Sequence, residues 1–479
     1  MKAMIKALLV LVLVSAASAT TLPAWSQSAD DFQRLVRQPD YRQRQHSRIR
    51  EELRRWRNGA QAPAERLWQE TRAHFNLNPR DAELREALLR MLQQRHAARQ
   101  LSPQAEELYY YQLLNLEPRN SVYRDRLAAL LLQKHGGHSP AEVRQAYQRL
   151  NDAFNTWDKR QYDRALQLFR QARLPRSAEL TAIVAAHLRD RGHFDEAHKL
   201  LSSFAGDRSY LSWIDESLKA MQASQRIVNS SFAESDKLMA RIQLGHLSQA
   251  EMAIKAQPDG PMKHWYQAKW LEKQASYHSA SVEYRAYYQQ RWSQQLPGFV
   301  PVVYKAQLED VNSLDLIALK FRTSPDLIRQ VNEAWPHDWV ETYRMLIVPV
   351  PRREMAWPTT GYVSSHFGYR LHPIRGTWRL HEGLDIETLK GVKATAPLPG
   401  KVVQAGYDSG CGNLIRLQHA EPALRTVFCH GERLLQRQGA QLTQGQDVLV
   451  TGTTGASASI HLHFGVQLNG VYSDPMDWL

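Results

Sequence analysis

Two short motifs near the C-terminal end place the strictest demand on how this chain folds. The first is His381-Glu382-Gly383-Leu384-Asp385, and the second is His461-Leu462-His463-Phe464, whose second histidine stands 82 residues after His381. The second motif reads as a strand, and period-2 alternation sends His461 and His463 to one face of it. Two imidazoles and a carboxylate are a donor set suited to Zn²⁺, and a catalytic zinc typically takes three protein ligands and leaves one position to water. The motifs have chemical meaning only if strands far apart in sequence converge on one point.

The surroundings make that convergence the expected outcome. Ser365-His366-Phe367-Gly368-Tyr369-Arg370-Leu371-His372-Pro373 precedes the first motif. Gly391-Val392, Ala394, Ala396, Gly400 and Val402 follow it, and Asn413 to His419, Val427-Phe428-Cys429-His430 and Gly452-Thr453-Thr454-Gly455-Ala456-Ser457 come next in order. Through these residues, positions 355–479 resemble the lysostaphin-type (LytM-like) zinc endopeptidase domain, which cleaves peptide cross-links of bacterial peptidoglycan. The resemblance implies an antiparallel β domain with a groove across its sheet. It implies Zn²⁺ held by His381, Asp385 and His463, with His461 as base toward the bound water and His430 as donor to the developing oxyanion. Arg370 and His372 fall in the same motif near the groove. Phe428-Cys429-His430-Gly431 departs from the family's Tyr-x-His-Leu, which touches substrate positioning rather than the metal. Alternation from His381 turns Glu382 away from the metal, and His366 and His419 read as surface or structural histidines.

The N-terminus reads as an export signal. Lys2 and Lys6 precede the apolar run Ala7 to Val14, and Ala17-Ser18-Ala19 offers a cleavage site, so residues 1–26 are assigned to a signal peptide. No cysteine sits there to take a lipid, and no 18-residue apolar run follows, so a periplasmic or secreted protein without a membrane anchor is expected. The two cysteines, Cys411 and Cys429, flank an expected hairpin of Leu414–Gln418 with Thr426–Phe428. Two outcomes stay open for them, a disulfide suited to an oxidising compartment or two buried thiols, because a simple hairpin register does not set them opposite each other.

From Asp30 to Arg291 apolar residues recur at three- and four-residue intervals, the helical pattern. Asn76-Leu77-Asn78-Pro79-Arg80-Asp81 and Asn115-Leu116-Glu117-Pro118-Arg119-Asn120 repeat at a spacing of 39 and each opens a helix. A large residue three before alanine recurs at Tyr162 and Ala165, Phe194 and Ala197, Leu247 and Ala250, and Tyr277 and Ala280, with Gly192 and Gly245 expected at turns. Residues 27–295 resemble a degenerate tetratricopeptide-type array, a curved surface for a protein partner or a spacer, with Trp265, Trp270, Tyr284 and Tyr287 in its core.

Residues 294–301 read as a linker. Residues 300–350 then read as strand, helix from Asp310, helix from Ser324-Pro325 and strand to Pro349, a βααβ order similar to a LysM domain. That resemblance implies binding to the glycan of peptidoglycan. Glu309, and Tyr343-Arg344, stand where the usual glycines are absent, so a structural spacer is the competing reading. The fold class is thus multidomain α+β. The 61 Lys and Arg exceed the 48 Asp and Glu, but no basic block concentrates them, which argues against a nucleic-acid partner. The function expected is an exported peptidoglycan endopeptidase. The alternative is a non-enzymatic LytM-like activator or scaffold that regulates a separate cell-wall amidase.

Overall fold

The computed structural model describes residues 29–59, 63–97, 101–159, 161–172, 176–206, 211–307, 313–333, 340–341, 343–371, 377–421 and 423–479. The expected signal segment 1–26, Glu309 to Asn312, and His372-Pro373 lie outside those residues.

Helices fill the chain from Ala29 to Arg291. The spaced alanines explain how they pack. Ala165, Ala197, Ala250 and Ala280 are all fully buried, and each lies three residues into a helix that begins at its large partner. A methyl side chain lets the facing helix approach closely there. Gly192 and Gly245 take left-handed backbone (φ 83° and 77°) and close their helices. Trp265, Tyr284 and Tyr287 are core residues, and Trp270 is half-buried with its indole N–H donated to the Leu247 carbonyl at 2.9 Å.

Fifteen strands come next among the described residues: β1 (Phe299–Lys305), β2 (Met345–Pro351), β3 (Tyr362–Ser365), β4 (Gly368–Leu371), β5 (Trp378–His381), β6 (Leu384–Glu387), β7 (Lys393–Thr395), β8 (Gly400–Asp408), β9 (Gly412–His419), β10 (Leu424–Gly431), β11 (Arg433–Leu434), β12 (Gln441–Leu442), β13 (Asp447–Val450), β14 (His461–Leu468) and β15 (Val471–Ser473). The largest sheet runs in the order β12-β8-β9-β10-β14-β6-β3-β1-β2, with β15 added to β14. Its pairs are antiparallel except β1 with β3, which meet in parallel at Tyr304 and Val363. On β14, Leu462, Phe464 and Val466 enter the core, so His461 and His463 occupy the other face.

The linker expected at 294–301 is shorter in the structure. Leu296 is buried, and β1 already begins at Phe299. Between β1 and β2 lie helices Leu314–Lys320 and Pro325–Val331, the expected βααβ order, with Pro325 as first helical residue. Tyr343 adopts φ 66° where a glycine was missing, an uncommon backbone for a bulky residue. Packing is continuous from this unit into the peptidase-like strands: Tyr304, Phe321 and Leu346 share one core with Val363, Leu384, Phe428 and Phe464.

The repeated Asn-Leu-x-Pro-Arg corner does more than start helices. Asp81 and Asn120 cap the following helices through backbone N–H groups of Leu84 and Tyr123. Asn76 donates to the Thr323 carbonyl (2.7 Å), and Asn115 accepts from Arg322 (2.7 Å). Arg80 lies over Trp478, and Arg119 reaches the Tyr472 carbonyl. Both copies of the corner therefore dock on the C-terminal half.

Arg322 is the junction of these contacts. It is 1% exposed and donates to Asp477 (2.9 Å), Asp474 (3.0 Å), Asn115 and the Leu319 carbonyl. Burial, with Asp477 alongside, pushes the Asp474 carboxyl above the usual range even against Arg322. Removing the cation would leave the buried Asp474 without its cation and Asp477 with Arg85 alone, so Arg322→Met is expected to cost about 3–5 kcal/mol, read as a lower midpoint in urea unfolding.

Candidate metal centre

Strands β4 and β5 form a separate hairpin, and the chain breaks at Glu382-Gly383 before β6 enters the main sheet. His381 closes β5 and Asp385 sits on β6, so the first motif spans two sheets. Glu382 is exposed at the bend. Pairing of β6 with β14 places Asp385 directly opposite His463.

Three donor atoms converge there. His381 Nε2 lies 3.1 Å from Asp385 Oδ1 and 3.1 Å from His463 Nδ1, and His463 Nδ1 lies 2.9 Å from Asp385 Oδ1. Ligands about 2.0–2.1 Å from a tetrahedral zinc stand roughly 3.3 Å apart, so this triangle fits one face of such a site. His381 Nδ1 donates to the His366 carbonyl at 2.7 Å, which fixes the tautomer and turns the Nε2 lone pair inward. The second carboxylate oxygen of Asp385 faces the Arg370 guanidinium at 3.4 Å.

Burial holds the His381 imidazole down to about 4 in spite of Asp385. Burial also opposes charge on Asp385, yet the His381 and His463 contacts hold its carboxyl well below the usual range. The centre thus offers a charged carboxylate and a neutral imidazole at neutral pH, the states in which each can bind a metal.

His461 and His430 stand beside the triangle with ring centroids 4.7 Å apart. His461 Nδ1 donates to the Ser459 carbonyl (3.0 Å), leaving Nε2 with its lone pair 3.8 Å from Asp385 Oδ1. His430 Nδ1 donates to the Thr454 carbonyl (2.8 Å) in the same way. Its backbone takes φ 65° on a bulge that shifts the β9–β10 register between Phe428 and Gly431. Burial, reinforced by His461, pushes His430 down to about 4. The bulge also settles the cysteines: it brings Cys429 to Cys411 (Cα–Cα 4.9 Å) as a disulfide, and the His430 N–H bonds the Cys411 carbonyl at 2.7 Å.

All five residues singled out in the sequence gather in one site. The sequence reading missed the carbonyls of His366, Ser459 and Thr454, since no side-chain motif reports a backbone acceptor. It also left Gly383 without a role. A Cβ there would lie 2.6 Å from the Phe464 carbonyl and 2.7 Å from the His463 ring. His366 and His419 are buried structural residues, His366 against Tyr304 and Phe321, and His419 bonded to Pro399 and Thr426.

The hairpin has a second face. Arg370, Arg379 and His381 alternate toward the metal side, whereas Tyr369 and Trp378 pack against the helical core that holds Leu108 and Leu113. Arg124 lies 5.5 Å over the Tyr369 ring. The N-terminal helices therefore back a wall of the site.

Fold and site point to one class: residues 379–475 match Peptidase family M23, whose peptidases are zinc metallopeptidases, so the C-terminal part is similar to an M23 (LytM-type) domain. Among relatives, DD-carboxypeptidase/endopeptidase Mpg of Neisseria meningitidis is 36% identical over 114 residues, 24% of this chain and 26% of Mpg. Peptidoglycan DD-endopeptidase ShyC of Vibrio cholerae is 32% identical over 114 residues, again 24% and 26%. Murein hydrolase activator NlpD of Salmonella typhimurium is 33% identical over 124 residues, 26% of this chain and 30% of NlpD. The match thus spans under a third of each relative's length.

The geometry has two measurable consequences. Gly383→Ala is expected to weaken zinc affinity by about 10–100-fold through displacement of the His463 ring, measured by competition with a chromogenic chelator. In the metal-free protein, His381 and His430 have depressed pKa values, so they add stability that is complete above about 6.5, the unfolded value. That stability is lost as pH falls toward 4, because the unfolded chain then binds protons the folded one refuses. Urea unfolding at pH 7 and pH 5 should show the drop, and His430→Asn should reduce it.

Proposed function

We propose that this protein is an exported zinc-dependent peptidoglycan endopeptidase that hydrolyses stem-peptide cross-links, acting in the periplasm or outside the cell. The observation that carries the reading is the triangle of His381, Asp385 and His463 donors with two further imidazoles turned toward it. In this reading the three residues hold zinc, and a zinc ion so held lowers the pKa of its water to about 7 and polarises the scissile carbonyl. Asp385 cancels one of the metal's two charges, and Arg370 holds that carboxylate from its far side.

His461 takes the proton of the attacking water at Nε2 and returns it to the leaving amine. Its tautomer is already set by the Ser459 carbonyl, so no ring rearrangement precedes the transfer. His430, with its N–H committed to Thr454, rests as an acceptor that orients the same water. The donor role expected from sequence would need a proton on Nε2, which burial of the ring opposes. The disulfide and the bulge keep that ring fixed beside His461.

The name of the NlpD relative supports a second reading, a non-catalytic activator of a separate amidase. All five polar groups are present here, which favours the enzyme. The βααβ unit is assigned a LysM-like role on the glycan strand, and the helical region a tetratricopeptide-like role that includes a surface for a protein partner.

Purified sacculi incubated with the zinc-loaded protein should release uncross-linked muropeptides, identified by mass spectrometry. His381→Ala should lose both metal and turnover. His461→Ala should keep the metal and lose about 10²–10⁴ in rate. Sacculi left intact by zinc-loaded protein would favour the activator reading.

A further inference from the structure

Away from the metal centre, a cavity of about 480 Å³ opens where three parts of the chain meet. Arg42 and Arg80 line it from the helical region, Arg352 and Arg353 from the stretch after β2, and Asp477 with Trp478 from the C-terminal turn. Four arginines thus line it against two acidic residues, Asp477 and the exposed Glu354. Asp477 is already committed to Arg322 and Arg85 (2.9 and 3.2 Å) and cannot neutralise the rest.

The arginines differ in what they have left to offer. Arg353 spends its terminal nitrogens on the Asn76 and Leu77 carbonyls at a helix end, and its buried Nε has no partner among the described residues. Arg80 is exposed and lays its guanidinium over the Trp478 ring at 4.3 Å. Arg352 is exposed and Arg42 half-buried at the rim. Like charges gathered in a concave site repel one another, and an anion entering it relieves that repulsion.

We propose that this cavity binds a phosphate group, carried by a soluble phosphate ester or by a lipid headgroup. Arginines brought together from separate stretches, at Arg42, Arg80 and Arg352, suit the several oxygens of a tetrahedral phosphate better than the two coplanar oxygens of a carboxylate. An occupant would tie Arg42 and Arg80 of the helical region to Arg352 beside the peptidase, across the junction between them. The inference is independent of the peptidase reading, because neither metal nor turnover enters it.

The test titrates the full chain with inorganic pyrophosphate by calorimetry at constant ionic strength, and sediments it with vesicles of phosphatidylglycerol or of phosphatidylcholine. Saturable one-to-one pyrophosphate binding, weakened at least about tenfold in Arg80→Gln/Arg352→Gln, is expected. Co-sedimentation with phosphatidylglycerol alone, competed by pyrophosphate, assigns the lipid source; binding of pyrophosphate without co-sedimentation assigns the soluble one. Because Arg352 is exposed, Arg352→Gln alone keeps the test readable if loss of Arg80 unsettles Trp478. The proposal is overturned if neither probe binds saturably, or if the variants bind as the parent does.

Discussion

One buried guanidinium organises the assembly. Arg322 leaves the first βααβ helix, bonds a helical-region asparagine, and ends between two carboxylates of the C-terminal turn. A charge in so dry a place is tolerable only when every donor is used. That requirement fixes three segments relative to each other to within hydrogen-bond distance. Apolar packing alone would permit sliding, whereas directional bonds to Asn115, Asp474 and Asp477 do not.

The metal centre obeys the same logic on a smaller scale. Each of three histidines has one ring nitrogen donated to a backbone carbonyl, of His366, Ser459 or Thr454. Those carbonyls belong to turns and strand ends held by the sheet, so the backbone decides which nitrogen faces the site. The side chains bring the chemistry, and the main chain selects its protonation state.

Features with a period or a fixed spacing were legible in the sequence. Alternation placed His461 and His463 on one face, and alanines three residues after a large side chain marked buried helix contacts. The cysteine pair could not be read, because it depends on a bulge at Cys429–His430 that no propensity announces. The Asn-Leu-x-Pro-Arg corners were visible as helix starts, yet their docking on Thr323, Arg322, Trp478 and Tyr472 joins residues hundreds apart. The stretch 350–355 reads as a domain boundary because two family resemblances end and begin there; the core runs through it, since Tyr304 and Val363 are neighbours in one sheet.

The β4–β5 hairpin is shared between two owners. One side presents His381 and Arg370 to the cluster of metal-type donors, and the other rests through Tyr369 and Trp378 on helices more than two hundred residues upstream. The helical region is consequently part of what positions the donor cluster rather than a detachable cassette. Substitutions on its inner side, at residues far from the donor cluster, are inherited as changes to the geometry of that cluster.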